Sequence, residues 1–239
     1  SLVGSEMCIR DRFKTPPADD TGVFHILEHS VLCGSEKFPV KEPFVDLLKT
    51  SMQTFLNALT FPDKTMYPVA STNEQDLLNL ADVYMDAVLD PAIYAKPEIF
   101  RQEGWHYELD EASECERPHA GAQTVDGGGA LLEDEASAPF IPENDADYSR
   151  DDLAQGVPPA SAARLRYNGV VFNEMKGALS DPDSVLYHAV NKALFPDTCY
   201  AFESGGHPRA IPKLTYEQFL DTHARHYRLD NAYIVLYGN

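Results

Sequence analysis

TGVFHILEHSVLCG, residues 21–34, is the stretch from which the rest of the chain can be read. Val23, Ile26, Leu27 and Val31 recur at helical spacing and predict an apolar face on a helix running from about Gly22 to Leu32. Thr21 is the expected N-cap and Gly34 the expected stop. His25, Glu28 and His29 fall on another face of the same helix, within about a third of its circumference. Two neutral imidazoles at i and i+4 can grip one divalent ion, with the Glu28 carboxylate beside the open coordination position. H-x-x-E-H is the inverted order of the better-known H-E-x-x-H zinc pattern.

Outward from this helix the periodicities alternate. Phe44 to Met52 has helical spacing. Thr54–Leu59 and Thr65–Val69 read as strands joined through Pro62-Asp63-Lys64. Glu74 to Leu89 is a strong amphipathic helix, followed by Pro91. Lys96 to His106 is expected to be a short helix, with a strand beginning at Tyr107. Val170 to Leu179 predicts a helix carrying Glu174. The next helix, to about Phe195, is capped by Ser180 or Asp181 with Pro182 in its first turn. Tyr216 to His226 is a further helix, and Ala232 to Tyr237 a strand. The expected class is α+β, an antiparallel β-sheet with helices packed mainly on one face.

Two segments depart from this pattern. SLVGSEMCIRDR (1–12) shows no clear periodicity, resembles a recurrent artefact of translated sequencing data, and is expected to be a non-native or disordered leader, so that the true beginning would be missing. Residues 111–160 contain Gly127-Gly128-Gly129, scattered prolines and many acids. They read as an acidic disordered insertion interrupting one domain over 13–239. Glu111 to Asp152 holds twelve carboxylates against Arg117 and Arg150, so it accounts for −10 of the formal −19.

An acidic chain disfavours nucleic acid as a partner. No apolar run approaches the roughly 18 residues that cross a bilayer, so no membrane partner is expected. Cys8, Cys33, Cys115 and Cys199 form no C-x-x-C and no disulfide framework. They suggest a reducing compartment, taken here as cytoplasmic, with a mitochondrial or plastid matrix as the alternative. Cys33 reads as a buried thiol, Trp105 as core, and His207, His223 and His226 as surface or structural groups. Gly205-Gly206 reads as a turn. Ser204 has no histidine and acid at a recognisable spacing, so serine catalysis is not supported.

A catalytic zinc usually takes three protein ligands and leaves a fourth position to water. The residues alone leave Glu103, Glu108 and Glu174 as possible third ligands, and Glu103, in Q-E-G-W, reads better as a packing or ligand-supporting position. The longer stretches TGVFHILEHSVLCGS (21–35), KEPFVDLLK (41–49), TFLNALTFPDKTMYPVAST (54–72), QEGWHYEL (102–109), YNGVVFNEMKG (167–177) and ESGGHPRAIPKLTYEQF (203–219) resemble the pitrilysin/insulinase family of inverted-motif zinc peptidases, and within it the presequence peptidases. The resemblance covers nearly everything from Phe13 onward except the acidic segment. It implies one zinc per chain held by His25, His29 and Glu174, with Glu28 as general base. It implies an edge strand at Asn57 and Ala58 to which an extended, unstructured peptide adds. It also implies that this chain is an N-terminal fragment whose partner is the missing C-terminal half of the same polypeptide. The gap from His29 to Glu174 exceeds the family pattern by about the length of the acidic segment. Loop-closure entropy grows slowly enough to tolerate that. The expected function is a zinc endopeptidase acting on short unstructured peptides; the alternative is a non-catalytic peptide-binding half of the same fold.

Overall fold

A computed structural model of the chain describes residues 7–40, 43–110 and 164–238. They fall into a main unit spanning residues up to 108 and from 166 onward. The described part of a second unit, 109–165, is limited to the far ends of two strands. The expected insertion at 111–160 lies outside the described residues.

The elements in order are β1 (Met7–Lys14), α1 (Val23–Val31), α2 (Pro43–Thr50), β2 (Gln53–Leu56), β3 (Leu59–Thr60), β4 (Lys64–Ser71), α3 (Glu74–Leu89), α4 (Pro97–Glu103), β5 (His106–Asp110), β6 (Arg164–Asn168), α5 (Val170–Ala178), α6 (Pro182–Leu194), α7 (Tyr216–His226) and β7 (Ala232–Tyr237). The main sheet runs β2-β4-β1-β7, with β3 also on β4, and its pairs are antiparallel. β5 and β6 pair separately. Mixed α+β architecture with an antiparallel sheet is as expected from the sequence.

The sheet is two-faced. Along β1, Ile9, Asp11 and Phe13 are buried while Arg10, Arg12 and Lys14 are exposed, the period-2 alternation of a strand with one solvated face. Thr65, Tyr67, Val69 and Ser71 of β4 are buried too. α3 packs on β4 and β1, and α1 on α4, α7 and β3. Between them lies a core containing Phe13, Ile26, Leu27, Tyr67, Leu80, Tyr84, Val88 and Phe219. The N-termini of α3, α6 and α7 are closed by side chains: Asn73 accepts from Asp76 N, Asp181 from Asp183 N and Ser184 N, and Thr215 with Gln218 forms a capping box.

Two readings need correction. Residues 7–12 are not a disordered leader; they form most of β1, the strand between β4 and β7. Strand formation bears on their order, not on their origin. The N-cap of α1 is Gly22, in the left-handed conformation at φ 66°, rather than Thr21. The backbone N–H and hydroxyl of Thr21 both donate to Asp19 instead.

Asp11 is the misfit of β1. It faces the core opposite Tyr67 and Ile234, is 1% exposed, and its Oδ1 has no hydrogen-bond partner. Burial pushes its carboxyl up from 3.8 to about 6. Between those values the folded chain holds a proton that the unfolded chain has released. Stability therefore falls as pH climbs through that window and stays lower above it. At about 1.4 kcal/mol per pH unit the penalty approaches 3 kcal/mol. Asp11→Val is expected to stabilise the chain by about that amount at neutral pH, and Asp11→Asn to flatten the pH dependence between 3.8 and about 6. Denaturant melts of the three proteins across that range check this; wild type and both variants melting in parallel would contradict it.

Candidate metal centre

α1 presents His25 and His29 one turn apart, with ring centroids 5.0 Å apart and planes at 76°. α5 brings Glu174 to them from a distant point in the chain. The joint that places α5 is a backbone contact between two glycines. A Cβ on Gly169, which precedes α5, would lie 2.2 Å from the carbonyl oxygen of Gly104, which ends α4. Only an absent side chain allows that approach. Gly104 in turn sits against Ile26 of α1. One contact therefore sets two carboxylates: Glu103, just before Gly104, and Glu174, five residues beyond Gly169.

Glu174 Oε2 lies 3.6 Å from His25 Nε2 and 3.6 Å from His29 Nε2. The three ligand atoms fall within 4.8 Å of one another, and among the described residues this is the group of His, Cys, Asp and Glu side chains placed to hold a metal ion. Tetrahedral zinc with bonds of about 2.0–2.2 Å holds its ligand atoms roughly 3.3–3.6 Å apart, and the two Glu174–histidine spacings of 3.6 Å match that. The donor set, two imidazoles and one carboxylate, is also one that zinc takes when a position is left for water. His25 is buried, His29 half-buried, and the Glu174 side chain is 52% exposed. The site is therefore walled on the helix α1 side and open beside Glu174.

The far nitrogen of each ring is tied down. His29 Nδ1 donates to Glu103 Oε2 at 3.3 Å, and Glu103 also accepts from Gln102 Nε2 at 2.8 Å and Cys33 Sγ at 3.6 Å. A carboxylate only accepts, so Nδ1 carries a proton, and in the neutral ring Nε2 turns its lone pair toward Glu174. Burial works against charge on His29. The Glu103 hydrogen bond and the charges of Glu28, Glu103 and Glu174 outweigh it and hold the ring's pKa above the usual histidine range. Burial likewise opposes ionisation of Glu103, but its hydrogen bonds with His29 and Gln102 win and hold its carboxyl below the usual range. His25 Nδ1 meets the carbonyl of Gly205 at 2.9 Å.

Of the competing carboxylates, Glu103 engages His29 from the side away from Glu174. Glu108 is committed to Arg166 at 2.9 Å and Asn168 at 2.9 Å. Glu28 is buried on α1 and lies outside the ligand triplet. After burial, its charge is a further cause raising the phenols of Tyr67, Tyr84 and Tyr227 in the core. Asn57 and Ala58 are not on the edge strand expected over Thr54–Leu59; they lie in the break between β2, the edge strand of the sheet, and β3. Asn57 N donates to Pro68 O at 3.2 Å, and Asn57 Oδ1 accepts from Ala58 N at 2.9 Å. The Asn57 side chain thus bonds its neighbouring backbone.

His223 and Trp105 have structural partners. His223 is buried between Val88 O and Tyr94 OH. Trp105 donates to Leu214 O. Cys33 is half-buried and donates to Glu103 Oε1 at 3.6 Å. Gly205 was read as a turn; its carbonyl contact with His25 joins residues 180 positions apart, and no local pattern signals it.

The fold is shared with a protease from Helicobacter pylori (TM-score 0.59, 15% identity, 98% of this chain and 42% of that one) and with pitrilysin (TM-score 0.57, 16% identity, 100% of this chain and 19% of that one). By sequence the chain is 50% identical to Protein HypA of Clostridium perfringens over 97% of its length. It is 45% identical to Presequence protease 1, chloroplastic/mitochondrial, of Arabidopsis thaliana over 95%, and 38% identical to the mitochondrial presequence protease of Schizosaccharomyces pombe over 95%. No family model matches the chain. By sequence the chain is similar to presequence proteases over 95% of its length, and its fold is that of pitrilysin. It spans 16–19% of the length of these curated relatives.

Proposed function

We propose that this chain carries the zinc site of a metallo-endopeptidase that hydrolyses short unstructured peptides, and that it is one part of a longer polypeptide. The observation that carries the reading is the meeting of His25 Nε2, His29 Nε2 and Glu174 Oε2 at 3.6 Å contacts, on two helices far apart in sequence. Bound there, zinc would supply a Lewis acid for the scissile carbonyl and make a nearby water more acidic. The chain's own residues do the rest. His25, His29 and Glu174 hold the ion. Glu28 takes the proton from the attacking water on its carboxylate and passes it to the nitrogen of the leaving amine. Glu103 fixes the His29 ring, and Glu103→Gln is expected to weaken zinc binding by about 10-fold or more. Chelator competition measures this, and an unchanged dissociation constant would remove Glu103 from the supporting role.

The edge strand β2 supports a mode in which an extended peptide adds through main-chain hydrogen bonds, tolerant of side chains but demanding an unfolded substrate. The Ala58 N–H is used only locally, so Ala58→Pro removes a main-chain donor just past the edge strand and leaves the Asn57–Pro68 hydrogen bond in place. In the full-length protein it should raise KM at least about fivefold, a loss near 1 kcal/mol; an unchanged KM would exclude this edge as the peptide's seat.

The alternative, a peptide-holding half without turnover, is disfavoured by the presence of His25, Glu28, His29 and Glu174 together. The test is chelator-sensitive cleavage of an unfolded peptide by the full-length polypeptide. Restoration of cleavage by zinc is the expected result. Zinc bound without cleavage would favour the holding role. The 239-residue chain alone is expected to bind zinc and to cleave poorly, because it spans under a fifth of its relatives' length. The plant and yeast relatives carry organellar names, which supports the organellar alternative for location. Among the described residues no helix is long and apolar enough to cross a membrane.

A further inference from the structure

The loop at residues 203–207 lies 180 positions from the metal motif, yet it touches both ligand helices. Gly205 O accepts from His25 Nδ1 at 2.9 Å. A Cβ on Gly22, the residue that caps α1, would lie 2.5 Å from Gly206 Cα and 2.6 Å from Gly205 O. A Cβ on Gly205 would lie 2.6 Å from the sulfur of Met175, next to Glu174 on α5. Gly206 itself sits at φ 100°, where side chains are strained.

Asp20 laces the loop to the segment before α1 at two points. Its Oδ1 accepts from Glu203 N at 2.8 Å, and its carbonyl from His207 N at 2.8 Å. Within the loop, Glu203 Oε1 accepts from Gly205 N at 3.2 Å, and Gly206 N donates to Glu203 O at 3.0 Å. Glu203 Oε2 lies 3.5 Å from His188 Nδ1 of α6. A carbonyl oxygen has no proton to give. The contact at His25 therefore requires a proton on Nδ1, and in the neutral ring it leaves the lone pair on Nε2, the nitrogen facing Glu174.

We propose that the 203–207 loop is a positioning element for the metal centre, holding His25 in the ligating tautomer through the Gly205 carbonyl, with Asp20 as the residue that fixes the loop. The two histidines are thereby held by different means: His29 by a carboxylate and His25 by a neutral backbone group, which orients the ring without adding charge. The inference rests on the metal site proposed above, but the tautomer is a property of the metal-free chain and can be read independently.

The experiment uses the 239-residue chain. Nitrogen-15 shifts of the His25 ring in metal-free protein report which nitrogen carries the proton. Chelator competition with zinc gives affinities for wild type, Asp20→Ala, Asp20→Asn and Gly206→Ala, with circular dichroism to verify folding. The expected results are a proton on Nδ1 in wild type, and a mixture of tautomers with zinc affinity about 10-fold weaker in Asp20→Ala and Gly206→Ala. Asp20→Asn keeps an oxygen to accept from Glu203 N and is expected to restore both readouts. A wild-type proton on Nε2 overturns the proposal even if the variants fail to fold. So does a folded Asp20→Ala or Gly206→Ala with wild-type tautomer and affinity. If wild type shows the Nδ1 proton and binds no zinc, the metal site fails and the hold of the loop on His25 stands.

Discussion

Replacing Glu28 with glutamine in the full-length polypeptide is expected to lower kcat for an unfolded peptide by about 10²–10⁴-fold, the usual worth of a positioned general base, while zinc still binds at one ion per chain. The physical reason is the separation of roles on α1. His25 and His29 point their Nε2 atoms at Glu174, whereas Glu28 is buried beside them and outside the ligand triplet. Glutamine keeps the shape and the capacity to accept a hydrogen bond, and loses the capacity to take a proton. Steady-state kinetics beside elemental analysis separates the two effects. Near-wild-type turnover would refute the assignment of the base, and loss of zinc would mean that Glu28 is a ligand.

Glu174→Ala should have the opposite signature. It removes one of the three proposed ligands and the one from α5, so zinc affinity should drop by more than about 100-fold, beyond the range lost when supporting partners are changed. The side chain is half exposed, so truncation opens no buried cavity and the fold should survive. Metal-free Glu174→Ala is expected to melt with metal-free wild type. Only wild type should gain stability on adding zinc, since a ligand that binds the folded state alone shifts the equilibrium toward it. Equal stabilisation of both proteins would place the ion elsewhere.

Much of this was legible in the sequence because periodicity survives where one face is buried. α3, α7 and β7 run over the residues expected, and Asp181-Pro182 opens α6 as its capping chemistry suggests. β1 was lost for a specific reason. Ile9-Arg10-Asp11-Arg12-Phe13 does alternate, but its middle inward position is a carboxylate, and an alternation of apolar and polar residues is not visible through a buried charge. At the metal centre, spacing revealed the two histidines and the intervening glutamate, since one helix turn carries them. Glu174 came only through family resemblance, because contacts between α1 and α5 depend on the Gly104–Gly169 approach, which no local pattern encodes. The Gly205 carbonyl was out of reach on the same ground: a backbone oxygen has no residue type, so nothing in the letters marks it.

The central claim is a location for one ion, and crystals of this chain soaked in zinc test it directly. Anomalous scattering at the zinc edge is expected to show one peak about 2.0–2.2 Å from His25 Nε2, His29 Nε2 and an oxygen of Glu174, with Glu28 and Glu103 outside bonding distance. A peak bound by Glu103 in place of Glu174, or no peak at α1, would contradict the account.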